Sequence, residues 1–221
     1  VDCCGFLDGE YYQGYFEITK QLMERFIKPC AKEAGTALLI GDNGGPWGHY
    51  ALEVTRLLAG LGVRVISQFP GYVPFKELPQ LAAAEIAMVL GGRGQTYDGL
   101  KEFTQEMSAR FDMKFLPDVY PVGWQQTHEW LLAVGELVGC REQAEAVWRQ
   151  EEERLLAELQ RMLPVTKGRK TVLCIGRLVQ YFRPEAILQT IKMLELDLTG
   201  VIVLDCYMGK EREQMVQLVK D

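Results

Sequence analysis

The sequence predicts an α/β fold of Rossmann-like parallel-sheet domains with helices on both faces. Three observations carry that expectation. Short apolar runs alternate with longer stretches in which apolar residues recur every three or four positions. Strands separated by helices in this way are joined by right-handed crossovers, which makes the sheet parallel and covers it with helices. A glycine-rich turn, "IGDNGGPWGHY", links the first apolar run to the first helix that follows it.

The chain opens with "VDCCGFLDGEYY" and a helical stretch within "QGYFEITKQLMERFI". Ala37 to Ile40 reads as the first strand, and Ala51, Val54, Leu58 and Leu61 mark one face of a helix that Gly62 ends. "VRVISQF" is the second strand, "PFKELPQLAAA" a short helix interrupted by Pro79, and "EIAMVL" the third strand. A helix capped by Asp98 is expected to run to Phe111, and "MKFLPDVYP" holds a short fourth strand. "WQQTHEWLLAVGELVG" is a helix closed by Gly139.

Residues 36–140 therefore read as one Rossmann-like domain, preceded by 1–35 as the exit segment of a missing first domain. "REQAEAVWRQEEERLLAELQRML" has a narrow apolar stripe, from Ala144 and Val147 through Trp148, Leu155 and Leu159 to Leu163, as in a spacer helix lying across a surface. With the polar turn "PVTKGRK" it forms a spacer and junction over 141–168. The pattern then restarts with strand "TVLCIGR", helix "PEAILQTIKMLEL", strand "GVIVLDC" and helix "REQMVQLVKD". Residues 169–221 read as an incomplete second Rossmann-like domain, with too few strands for an ordinary sheet. The expectation is a piece excised from a longer polypeptide.

Composition narrows the function. With 221 residues, 48% hydrophobic and 24% charged, the chain can bury a core. Its 24 basic and 30 acidic residues give a net charge of −6, and no basic face is evident, which argues against a nucleic-acid partner. No run approaches the roughly 20 apolar residues of a membrane span, and no signal pattern opens the chain, so a cytoplasmic location is expected. Six cysteines without an export signal do not suggest a disulfide framework, and there is no C-x-x-C pair. Cys174 and Cys206, in or at the end of apolar runs, read as packed thiols.

The glycine turn fails two nucleotide tests. A Walker A loop needs Lys and Ser or Thr after its last glycine, whereas Gly48 is followed by His49 and Tyr50. A dinucleotide fingerprint needs G-x-G-x-x-G and an acid at the end of the second strand, which here ends in Gln68, Phe69 and Pro70. A tight strand-to-helix turn remains, whose free amides can still receive an anion. His49 and His128 stand apart from any serine or cysteine partner, and His128 among Trp124, Thr127, Glu129 and Trp130 reads as packing or capping. Trp47, Tyr50, Trp124 and Trp130 are candidates for domain or subunit contacts as well as for the core. No residue is assigned a catalytic or metal-ligating role.

Several collinear segments resemble the component 1 family of nitrogenase and nitrogenase-like oxidoreductases. They are "VDCCGF" with "QGYFEITKQLMERFI", "LLIGDNGGPWGHYALEVTRLLAGLGVRVISQFPG", "RFDMKFLPDVYPVGWQQTHEWLLAVGELVG" and "GRKTVLCIGRLVQYFRPEAILQTIKMLELDLTGV". The resemblance implies three Rossmann-like domains per subunit, a heterotetramer with a homologous second subunit, and electrons from an ATP-dependent iron-sulfur reductase. Substrate would be reduced at an iron-sulfur cluster, a related metallocluster or a tetrapyrrole between domains. No cofactor is expected in this piece alone, and the same resemblance admits a scaffold role in cofactor assembly; a generic small-molecule-binding domain is the further alternative.

Carried over by position, the resemblance places cofactor contacts in the loop Gly176 to Arg183, with Gly176, Arg177 and Arg183 as donors to an anionic group. Gly44 and Gly45 would let backbone approach a cofactor or a neighbouring domain. Tyr15, after Gly14, stands where the family has a histidine that reaches the cofactor, and the span Gly94 to Thr96 stands where it has a ligand cysteine. Both substitutions depart from the iron-molybdenum pattern.

Overall fold

The computed structural model describes residues 11–41, 47–90, 94–116, 121–175 and 184–203. Four strands, β1 (Glu33–Ile40), β2 (Arg64–Phe69), β3 (Ala84–Val89) and β4 (Lys114–Leu116), form a sheet in the order β2-β1-β3-β4. Every neighbouring pair is parallel. β5 (Lys170–Ile175) and β6 (Asp197–Val203) form a separate parallel pair. The α/β class with parallel sheets and covering helices is as the sequence predicts.

The period-two alternation of β1 builds both layers. Ala37 and Leu39 face the side occupied by α2 (His49–Gly60), α4 (Trp124–Val138) and α5 (Arg141–Thr166), where Leu58, Trp130 and Leu131 are buried. Leu38 and Ile40 face the other side, against α1 (Tyr11–Phe26), a 3-10 segment (Phe75–Ala83) and α3 (Gly94–Phe111), with Met23, Phe69 and Met107. Burying each such aliphatic side chain contributes about 2 kcal/mol, which is why a strand covered on both faces is nearly all apolar. Close helix packing uses small residues: a Cβ on Gly60 would lie 3.1 Å from Val147, and one on Gly135 2.6 Å from the Cβ of Ala144.

Four expectations are corrected. Asp98 is not an N-cap, because α3 already begins at Gly94 and Asp98 stands inside its second turn. α5 passes Pro164 and ends at Thr166; the proline removes one amide from the last turn, while the Lys167 amide still bonds the Leu163 carbonyl at 3.0 Å. β6 starts at Asp197, pairing with Lys170, ahead of the apolar run from which it was expected to begin. Cys174 is exposed, because its face of the two-stranded sheet, shared with Val172 and Ile202, has no cover among the described residues. Cys206 and the helix read over 212–221 lie outside the described residues.

Candidate functional site

The order β2-β1-β3-β4 makes the chain turn one way from β1 to β2 and the other way towards β3 and β4. In open parallel sheets, ligands sit outside the carboxyl ends of the strands at such a reversal, here between β1 and β3. At that edge β1 is followed by Gly41, buried and at φ 134°, a backbone conformation that favours glycine. Its amide donates to the Phe69 carbonyl at 2.9 Å, while the Leu90 amide donates to the Ile40 carbonyl at 2.7 Å, so the ends of β2, β1 and β3 are fastened together.

Gln68 projects into this corner. Its Nε2 donates to the Gly41 carbonyl at 2.8 Å, and its Oε1 is buried with no hydrogen-bond partner among the described residues. The residue is 3% exposed. An unpaired buried acceptor costs about 1–3 kcal/mol, so an N–H or O–H group placed beside it would be favoured. α2 begins beyond the turn at Gly48, which is extended and offers no side-chain cap, so among the described residues no capping side chain serves the first amides of that helix.

β2 ends in Phe69, fully buried and stacked on Phe103 at 5.9 Å, which leaves a core residue where a dinucleotide fold needs its ribose acid. His49 is exposed. His128 stacks on Trp148 with ring centroids 4.6 Å apart, a packing role as read from the sequence. Of the four interface candidates, Trp130 is core, Trp124 packs edge-on against Trp148, Tyr50 is half-buried, and Trp47 is 76% exposed beside Tyr72.

Tyr15 lies on α1, packed in the layer with Phe16 and Leu22. Phe16 in turn covers Gly99 of α3, the helix whose first turn contains Thr96. The side chain of Thr96, the glycines Gly44 and Gly45, and the loop residues Gly176, Arg177 and Arg183 lie outside the described residues. Gln68 was named in the sequence only as the end of a strand; its inward position is legible there, but its missing partner is not.

The profile described as nitrogenase component 1 type oxidoreductase matches residues 1–186. The chain belongs to this family. Family membership implies, in general terms, work within a multi-subunit complex. No curated protein matched the chain. Among solved structures, a possible iron-binding (periplasmic solute-binding) protein from Staphylococcus epidermidis ATCC 12228 is 11% identical, with 86% of this chain and 83% of that one covered and a TM-score of 0.48. A zinc-bound ZnuA deletion mutant is 18% identical over 85% of this chain and 78% of that one, with a TM-score of 0.42. A substrate-binding protein of an ABC transporter from Listeria monocytogenes EGD-e is 9% identical, covering 85% and 81%, also at 0.42. These likenesses say nothing of what this nitrogenase-like chain binds.

The donor set bears on the family's chemistry. Among the described residues no three His, Cys, Asp or Glu side chains converge to hold a metal ion. Cys30 and Cys174 are exposed, and Cys140 points its Sγ at the Leu61 carbonyl, 3.8 Å away, with burial raising its pKa. The described residues therefore do not fit an iron cluster held by this chain's own thiolates. Among them, too, no helix is long and apolar enough to cross a membrane.

Proposed function

We propose that this protein serves as a subunit of a nitrogenase-like reductase in which a homologous partner subunit completes the substrate or cofactor site. The observation that carries this reading is the family match over residues 1–186. The electrons come from an ATP-dependent iron-sulfur reductase, and the acceptor is a substrate reduced at a metallocluster or a tetrapyrrole. The carboxyl edge of the four-stranded sheet supports the reading: it offers the buried acceptor of Gln68 and the uncapped start of α2 to a neighbouring group.

The test is anaerobic co-expression of the chain with its partner subunit, followed by iron analysis, absorption spectroscopy and electron paramagnetic resonance. Iron or a tetrapyrrole is expected to co-purify. An assembled complex with neither would overturn the reading. A second role, scaffolding during cofactor assembly, is favoured by the absence of any cysteine in "GQT", residues 94–96. It predicts transfer of the bound cofactor to another protein, and turnover of substrate without such transfer would dismiss it.

A further inference from the structure

A second concave site lies between α2, α4, α5 and α6 (Pro184–Met193), where a cleft of about 640 Å³ opens. That volume is in the range of small-molecule sites. Neither Gly41 nor Gln68 lines it. Its lining is largely apolar: Leu57 is buried, Trp124 meets Trp148 edge-on at 5.2 Å, and Leu159 and Met193 extend the same surface. His128 stacks on Trp148 at 4.6 Å and so restrains that ring.

The charged groups at the rim balance. Arg56 and Arg154 bridge Glu53 and Glu151, whose four carboxylate oxygens all accept, at distances from 2.6 to 3.1 Å. Glu158 also lines the cleft and accepts from Arg161 at 2.7 and 3.0 Å, both through Oε2. Three carboxylates thus meet three guanidinium groups, which selects neither an anion nor a cation. The hydroxyls of Thr127 and Thr190 are spent on the carbonyls of Gly123 and Ala186, at 2.6 and 2.9 Å.

Two capacities are left over among the described residues, and they are opposite in kind. Glu158 Oε1 has no donor, and Arg154, which uses only Nη2, keeps Nε and Nη1 without an acceptor. The two residues stand four apart on α5, so their side chains leave the same face of the helix one turn apart. They are 60% and 54% exposed, Arg154 the more, and neither supplies a strong field. A carboxylate that reaches Arg154 meets Glu158, and an ammonium that reaches Glu158 meets Arg154. A hydroxyl or a carboxamide donates and accepts at once, and satisfies both.

We infer that this cleft binds an uncharged, largely apolar small molecule bearing a hydroxyl or carboxamide, its body against Trp124, Trp148 and Leu159 and its polar group between Arg154 and Glu158. The site needs neither a partner subunit nor a metal, so its test is independent of the proposed redox function. The full chain is titrated with N-phenyl-1-naphthylamine, an uncharged probe followed by its emission. Naphthalene-1-carboxamide, naphthalene-1-carboxylate and naphthalen-1-ylmethylammonium, which share one ring system and differ in head group, are then used as competitors. Saturable binding at one site per chain is expected, with the carboxamide roughly three- to tenfold stronger than either ion, the scale of one like-charge contact and one lost hydrogen bond at an exposed rim.

Leu159→Glu sets a carboxylate against the apolar body and should weaken the probe about tenfold or more. Leu156→Glu makes the same change at an exposed position of α5 that does not line the cleft, and should leave the probe unchanged. Glu158→Gln should narrow the gap between carboxylate and carboxamide, which a merely apolar cleft would not do. Circular dichroism melting checks that the variants fold, and the competitor series needs no variant, so it decides even where Leu159→Glu does not fold. The inference is overturned if the full chain shows no saturable binding, if either ion competes as well as the carboxamide, if Leu156→Glu weakens the probe as much as Leu159→Glu, or if Glu158→Gln leaves the gap as it was.

Discussion

Gln68 combines one good hydrogen bond with one missing one, and the two contributions differ in size. Its Nε2 bond to the Gly41 carbonyl is worth about 1 kcal/mol net, whereas its Oε1, unpartnered among the described residues, costs about 1–3 kcal/mol. Replacing it with leucine removes both at similar volume, although the Gly41 carbonyl then loses its partner. The expected result for Gln68→Leu is a stability within about 1 kcal/mol of the parent chain, read from the urea midpoint. A loss above about 3 kcal/mol would mean that the amide supports the corner in a way its contacts do not display. Glycine positions behave differently. Gly123 sits at φ 87° and a Cβ there would lie 2.6 Å from the Cβ of Ala186, so Gly123→Ala combines strain with a clash. A loss of about 2–4 kcal/mol is expected, with the contact between the start of α4 and α6 opening first.

Between elements, one guanidinium joins helices far apart in sequence. Arg56 on α2 holds Glu53 on its own helix and Glu151 on α5, and these two carboxylates push its pKa further upward. Its side chain is 42% exposed, so solvent screening keeps the contribution modest, yet Glu151 is only 16% exposed and would be left with Arg154 alone. Arg56→Met should cost about 1 kcal/mol, and the difference from the parent chain should shrink in 1 M salt. A salt-independent loss would point to packing of the arginine stem instead. Legibility in the sequence divides along the same line. The strands and the α4 stop at Gly139, whose φ is 75°, are written locally, in period-two apolar runs and a left-handed glycine. Arg56 and Glu151 lie 95 residues apart, and no local pattern pairs them. The start of α3 was misread for a related reason: Asp98 is a good capping residue, but helical backbone already runs from Gly94, so its side chain has no first-turn amide to serve. At the carboxyl edge, the absence of a Walker lysine and a ribose acid was readable, whereas the solitary acceptor of Gln68 depends on three strand ends meeting.

Across the whole molecule, acid should loosen the four-stranded sheet at its amino edge. Glu85 on β3 accepts from Lys114 Nζ on β4 and from the Gly35 amide on β1, both at 2.7 Å. Lys114 first and the Gly35 N–H second hold its carboxyl below the ordinary carboxylate value, and guanidinium bonds from Arg56 do the same for Glu53. A group whose folded pKa is depressed lends stability that is fully present above its unfolded pKa and is lost as pH falls through the folded one. The urea midpoint should therefore drop as pH is lowered past about 4.5, and Glu85→Gln, which keeps an acceptor for Gly35, should flatten part of that drop. An unchanged pH profile would remove Glu85 from the account. The two sheets should also differ in their resistance to opening. β1 and β3 are covered on both faces, with Leu38, Ile40, Ile86 and Ala87 fully buried, whereas β5 and β6 leave Val172 and Ile202 about half exposed. Opening free energy follows buried apolar contact, so amides of β1 and β3 should exchange near the global unfolding limit and those of β5 and β6 well before it. Thiol alkylation reads the same contrast chemically: exposed Cys174 should react before Cys140, which is half-buried and whose raised pKa keeps less thiolate at neutral pH. Equal protection of the two sheets, together with a slow Cys174, would show that the Val172 and Ile202 face is covered in solution.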